Sequence, residues 1–240
     1  MSEHGSFAWH ELRTSDADAA GRFYGALFGW TFEPHEMGAT ILAGGVPIGG
    51  ASAVKPGLPD HWTPFVACAD VDAVAAAARS AGGIVTTGEP ADVPGIGRLA
   101  PILDPAKTIV AALTPGPAVP ETVPGPGRFV WERLWTPDPA GAGSFYAATF
   151  GWTPVLSPDG EAGVFERAGG GRVAEMLRVA PDAPGGWLSF VLADRVDDIG
   201  RRATELGGTA GNAVEIPGIG RFAEITDPQG ATLAAWEPAA

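Results

Sequence analysis

Residues Phe7–Trp30 read FAWHELRTSDADAAGRFYGALFGW, and residues Phe129–Trp152 read FVWERLWTPDPAGAGSFYAATFGW. The two blocks align without a gap at an offset of 122 residues. Phe7, Trp9, Leu12, Thr14, Asp16, Phe23, Tyr24, Phe28, Gly29 and Trp30 recur as Phe129, Trp131, Leu134, Thr136, Asp138, Phe145, Tyr146, Phe150, Gly151 and Trp152. Later echoes follow. PGIGR at Pro94–Arg98 returns at Pro217–Arg221, and Asp104-Pro105 returns as Asp227-Pro228. A period of about 120 residues is too long for a solenoid unit and has the size of a complete small domain. The chain is a tandem duplication, and any site in it has to be argued twice.

The copies are joined by Pro115–Gly127, PGPAVPETVPGPG. Five prolines in this stretch exclude a continuing helix or a central strand, so it reads as a semi-extended linker. The expected boundaries are a first domain at 5–114, a linker at 115–126 and a second domain at 127–238. A formal charge of −13 argues against nucleic acid and anionic membranes as partners. No apolar run is long enough to span a bilayer, and MSEHGSFAWHELR has no basic start followed by an apolar stretch. The single cysteine, Cys68, excludes an intrachain disulfide and a Cys-rich zinc site. A cytoplasmic address is expected.

Each copy has the same grammar. A strand (Ala8–Arg13; Val130–Trp135) leads into Thr-x-Asp, which opens a helix. Asp16 or Ser15 can cap it in the first copy, and Asp138 ahead of Pro139 in the second. Gly29 and Gly151 end it. Gly-punctuated strands follow, then a further strand (Thr63–Cys68; Leu188–Ala193). A second helix (Val71–Ser80; Val196–Leu206) stops at paired glycines, and strands close the copy. This is an α+β domain stated twice, with strands curling around a cavity.

The opening string W-x-x-L-x-T-x-D…F-Y-x-x-x-F-G-W, with Asp227-Pro228-Gln229-Gly230 and its degraded copy Asp104-Pro105-Ala106-Lys107, resembles the glyoxalase/bleomycin-resistance/ring-cleaving-dioxygenase superfamily, the vicinal oxygen chelate proteins. The resemblance covers nearly the entire chain. More narrowly, the chain is similar to actinobacterial two-domain glyoxalase-like proteins, which often carry the label hydroxylase. The resemblance implies two tandem domains, each a pair of βαβββ modules forming a cupped sheet around a ligand cavity. In metal-using members the ligands come from the first strand of each module and from later strands. Those positions fall here on Trp9, Thr63 and Ala111, and on Trp131, Leu188 and Ala234. None of these side chains suits a divalent metal. The four histidines, His4, His10, His35 and His61, all lie in the first copy. His10 falls out of register with Trp9, so it and His61 read as ordinary surface or edge residues. No metal and no cofactor is expected.

If Trp9 faces the cavity, strand alternation brings Glu11 and Arg13 with it, and Trp131, Arg133 and Trp135 in the copy. These tryptophans either stack a ligand or simply pack. Trp62 and Trp187, ahead of the second-module strands, are placed to cover a cavity mouth beside Thr63. Glu11 is a candidate general base if buried, or a partner of Arg133. Glu175 in RVAEML is the acidic second-copy strand residue that can point inward, and a second candidate base. Arg98 and Arg221 either clamp an anionic ligand group or pair with the nearby Asp104 and Asp227.

The reading this supports is a metal-free protein that binds a small hydrophobic or aromatic metabolite, in antibiotic sequestration or secondary metabolism. The alternative is an enzyme of the same superfamily, a lyase, isomerase or hydroxylase-like catalyst, working through Glu11, Glu175 or a divalent metal held elsewhere. A third is an interaction module with a filled, vestigial cavity. The expected partner is a small molecule. An intrachain pseudo-dimer is the expected arrangement, as a monomer or a homodimer.

Overall fold

The computed structural model describes residues 4–183 and 185–239. The first copy runs β1 (Phe7–Thr14), α1 (Ala17–Phe28), β2 (Trp30–His35), β3 (Gly38–Ala43) and β4 (Val46–Ala53). It continues with β5 (His61–Ala67), α2 (Val71–Ser80), β6 (Ile84–Val85), β7 (Ala91–Val93), β8 (Gly97–Leu103) and β9 (Ile109–Pro115). The second copy repeats the order with β10 (Phe129–Thr136), α3 (Pro139–Phe150), β11 (Thr153–Leu156), β12 (Ala162–Glu166) and β13 (Arg172–Arg178). It closes with β14 (Gly186–Leu192), α4 (Val196–Glu205), β15 (Thr209–Ala210), β16 (Val214–Ile216), β17 (Gly220–Thr226) and β18 (Thr232–Pro238). Each copy makes one mixed sheet, ordered β2-β3-β4-β1-β5-β9-β8-β6 and β11-β12-β13-β10-β14-β18-β17-β15, with β7 and β16 paired to β8 and β17. No helix among the described residues is long and apolar enough to cross a membrane.

The helix ends follow from the sequence. Asp16 accepts from the Ala19 amide, Asp70 from Ala73 and Asp138 from Gly141. Gly29 and Gly151 close α1 and α3 in the left-handed conformation, with φ of 69° and 71°. At α4 the capping position holds Arg195, which makes no cap, and the Glu237 carboxylate accepts from the Val196 amide instead.

The chain folds into two compact units, and each takes a module from both copies. One comprises Met1–Trp9, Thr63–Thr122 and Glu132–Trp187; the other comprises His10–Trp62, Val123–Trp131 and Leu188–Ala240. In the unit starting at His10, α1 and α4 cover a core of Leu12, Phe23, Tyr24, Trp30, Ile41, Trp62, Phe129, Val191, Ile225 and Leu233. Gly208, just past α4, has to be glycine. A Cβ there would lie 2.7 Å from the Phe23 ring and 2.5 Å from the Thr226 carbonyl. In the other unit α2 and α3 cover Val66, Val71, Ile102, Leu134, Phe145, Tyr146, Trp152, Phe165 and Met176. Gly83 gives Phe145 the same clearance, at 2.8 Å from a built Cβ.

The linker is held by specific contacts. Val119 is buried with Trp9, Phe65, Ala111 and Leu113. Gly116 donates to the Ile96 carbonyl and Ala118 to Gly95, so this stretch docks on the PGIGR turn.

Candidate functional site

Strand alternation sets which residues of β1 and β10 face away from the helices. Leu12 and Leu134 join the helix-covered cores, which turns Trp9, Glu11 and Arg13, and Trp131, Arg133 and Trp135, to the opposite face. β1 runs parallel to β4 with Glu11 opposite Gly50 and Arg13 opposite Ser52. β10 runs parallel to β13 with Arg133 opposite Glu175 and Trp135 opposite Leu177. The copies therefore differ in chemistry at equivalent places. Arg133 donates from Nε to Glu175 Oε1 at 2.7 Å, its Nη2 lies at the same distance, and its guanidinium carbon sits 5.2 Å from the Trp135 ring centroid. In the first copy Glu11 accepts a hydrogen bond from the Ser52 hydroxyl.

The two candidate walls also differ. Trp9, expected on a cavity wall, is only 2% exposed and packs with Phe65, Ala67, Ala111, Leu113 and Val119. That face of the first copy is core, closed by the protein's own side chains. In the second copy Leu188 and Phe190 are buried, while Trp131 and Trp236 are half-buried. Phe190 lies 5.4 Å from Phe222 and 6.4 Å from Trp236, centroid to centroid. The sequence reading missed Phe222 and Trp236. They occupy the places of Leu99 and Leu113 and stand opposite one another across β17 and β18.

Trp62 and Trp187 do not cover a cavity mouth. Both are buried, and each indole donates at 3.0 Å to a tyrosine hydroxyl, Trp62 to Tyr24 and Trp187 to Tyr146. The tyrosines donate in turn to Asp227 and Asp104, each at 3.1 Å. An indole that can reach a hydroxyl partner satisfies its N–H inside the core, so burial wins over exposure. Burial raises the Asp227 and Asp104 carboxyls above the ordinary carboxylate range, against the hydrogen bonds they accept from Ala231 and Thr108 amides and from the tyrosines. Burial likewise pushes both tyrosine hydroxyls well above their usual value.

The two aspartates are thus committed inward and do not pair with the PGIGR arginines. Arg98 binds Asp72 through two nitrogens and Asp92 through a third. Arg221 binds Asp197 in the same two-pronged way. Arg98 and Arg221 pin their turns to the first turns of α2 and α4. His10 is not at the surface: it is buried and stacks on Phe129 with centroids 3.6 Å apart. His61 Nδ1 is hydrogen-bonded with the Pro59 carbonyl.

No protein-family model matches the sequence. The anthracycline biosynthesis protein DnrV of Streptomyces peucetius is 31% identical over 255 residues, covering 95% of this chain and 91% of that protein. The chain belongs to the tandem glyoxalase-like branch of the vicinal oxygen chelate superfamily. CFP32 of Mycobacterium tuberculosis (strain CDC 1551 / Oshkosh), named as a glyoxylase, is 40% identical over 123 residues. That match covers 49% of this chain, which spans about half the length of CFP32 at 47%. The Mn(II)-bound glyoxalase from Novosphingobium aromaticivorans superposes with a TM-score of 0.68 over 99% of this chain and 83% of that one. At 17% identity that likeness is one of fold.

At the positions that the superfamily resemblance assigns to metal ligands stand Trp9, Thr63 and Ala111, and Trp131, Leu188 and Ala234. Thr63 alone among them carries an oxygen, and it is a neutral, buried hydroxyl. Among the described residues no three His, Cys, Asp or Glu side chains converge as a metal site. The residues do not fit the divalent ion of the metal-using relatives.

Proposed function

We propose that this glyoxalase-like chain binds a small aromatic metabolite without a metal, on the second copy's sheet face. The observation that carries the reading is the second copy's partly open aromatic face, where half-buried Trp236 lies beside Phe190 and Phe190 beside Phe222, and Trp131 is half-buried as well. Flat side chains of this kind offer stacking area at low entropic cost. Similarity to a protein named for anthracycline biosynthesis supports a fused-ring aromatic ligand and a role in secondary metabolism or antibiotic sequestration.

A catalytic reading rests on Glu11, the first copy's candidate base, which accepts a hydrogen bond from the Ser52 hydroxyl. Glu175, the second candidate base, is ion-paired with Arg133. The test is a titration of tryptophan fluorescence with a hydroxyanthraquinone, before and after exhaustive dialysis against a chelator. Saturable quenching in the range of about 10 μM, unchanged by the chelator, is the expected result. Absence of quenching at high micromolar ligand, or its loss on chelation, sinks the reading.

A further inference from the structure

We propose that the helix-averted face of β14, β18 and β17 selects a flat aromatic molecule bearing a protonated amine, with Trp236 as the stacking surface and Glu224 as the counter-ion. The proposal rests on the aromatic-ligand reading above and adds the charge of the ligand.

Ala223, Ile225, Leu233, Ala235 and Val191 belong to the helix-covered core. Alternation then puts Phe222, Glu224, Ala234, Trp236 and Phe190 on the other face. The register lays them out in rows. Phe190 stands opposite Ala234 and Ala234 opposite Glu224; in the next row Trp236 stands opposite Phe222. Glu224 and Trp236 are therefore diagonal neighbours across two antiparallel strands. Their Cβ atoms are about 7 Å apart at most, within one ligand's reach of both side chains. Ala234 between them has a small side chain and is fully buried.

Three features point to a cation. The Glu224 side chain is exposed and makes no hydrogen bond or ion pair among the described residues. Arg221 cannot neutralise it, because alternation turns that side chain to the helix side, where it is bound to Asp197. A free carboxylate accepts hydrogen bonds but donates none, so it rejects an anion and favours an ammonium. The indole face of Trp236 attracts positive charge in its own right. The net charge of −13 enriches cations around the whole chain.

The first copy supplies an internal contrast. Pro101 stands opposite Ala111 where Glu224 stands opposite Ala234, and Leu99 and Leu113 stand where Phe222 and Trp236 do. That face is apolar and closed over by Val119. A fold that needs only apolar packing at this row thus carries a free carboxylate and a part-exposed indole in one copy.

The test uses three probes on one ring: 9-(aminomethyl)anthracene as the cation, 9-(hydroxymethyl)anthracene as the neutral isostere and 9-anthracenecarboxylate as the anion. Each is titrated into the full chain and into Glu224→Gln and Trp236→Ala. The wild type is expected to bind the cation about tenfold more tightly than the neutral probe and the anion more weakly still. Glu224→Gln is expected to bring the cation to the neutral level while leaving the neutral probe unchanged, and Trp236→Ala to weaken both. Equal binding of cation and neutral by the wild type, or a preference that survives Glu224→Gln, overturns this proposal and leaves the aromatic site standing. Failure of all three probes to bind overturns the aromatic reading, and this proposal with it.

Discussion

The Tyr24 hydroxyl donates to the Asp227 carboxylate at 3.1 Å, joining residues 203 positions apart, and receives the Trp62 indole N–H at 3.0 Å. All three side chains are buried. Tyr24→Phe removes the middle link and leaves two buried polar groups short of a partner. The expected loss is about 2–4 kcal/mol of unfolding free energy, read from urea denaturation. Tyr146→Phe should do the same through Trp187 and Asp104. A loss below about 0.5 kcal/mol in both would show that the chain of hydrogen bonds does not stabilise the fold.

Asp104 and Asp227 give stability a pH dependence of defined sign. Their folded values are raised by burial, so the folded state holds a proton more tightly than the unfolded chain does. Their contribution is fully present below the unfolded value of about 3.9 and falls away as pH rises through the folded one. Asp72 and Asp197 act oppositely, since hydrogen bonds from Arg98 and Arg221 lower them. Comparison with Asp227→Asn isolates the first effect. The wild type should gain stability relative to that variant as pH is lowered from neutrality towards 4, as followed by thermal melts. A difference that stays flat or shrinks contradicts the sign.

Arg133 is buried and Glu175 is partly exposed at 27% of its side chain. Glu175→Gln should cost about 1–3 kcal/mol, because the buried guanidinium loses this carboxylate while solvent relieves part of the penalty. Arg133→Met combined with Glu175→Leu should recover most of that loss. Equilibrium unfolding of the single and double variants measures the coupling.

The linker should behave as part of the core. Val119→Ala is expected to destabilise by about 1–2 kcal/mol, and Val119→Asp by more, since the carboxylate would be buried unpaired among Trp9, Phe65 and Leu113. Urea midpoints would settle it. An unchanged midpoint for Val119→Asp would mean that the segment is detached in solution.

Cys68 should resist modification. Burial pushes its thiol up to about 11, so little thiolate exists at pH 8. A colourimetric thiol reagent should label the native chain orders of magnitude more slowly than the urea-unfolded chain. Fast native labelling would contradict the burial.

Duplication, helix caps and the succession of helices and strands along each copy were legible because each depends on local chemistry: Asp before a helix, Gly after it, and alternation along β1 and β10. The partners of Tyr24, Arg98 and Trp62 were not, because they are set by contacts between segments far apart in sequence. Asp60 shows the difference. It accepts from the Ser15 amide, the Ser15 hydroxyl and the Thr14 hydroxyl. In the second copy Pro137 replaces Ser15 and has no N–H to satisfy. Gly185 stands where Asp60 does, and a Cβ there would meet the Trp135 carbonyl at 2.9 Å. The pair of exchanges is visible in the sequence but explained only by the fold. The Trp9 face misled for a related reason. A strand pattern tells which residues share a side, and says nothing of the linker valine that seals it.

The exchange of modules between copies bears on how this chain can be dissected. Tyr24 is encoded before the linker and its acceptor Asp227 after it; Asp104 and its donor Tyr146 are divided the same way. A cut at the linker severs no regular element, yet each fragment is left with a buried hydroxyl and a buried carboxylate that belong to groups on the other. Expression of either half alone removes half of each compact body rather than one body of two. The duplicated copies are therefore a single inheritable unit, and a substitution on either side of Pro115 is answerable to residues on the other.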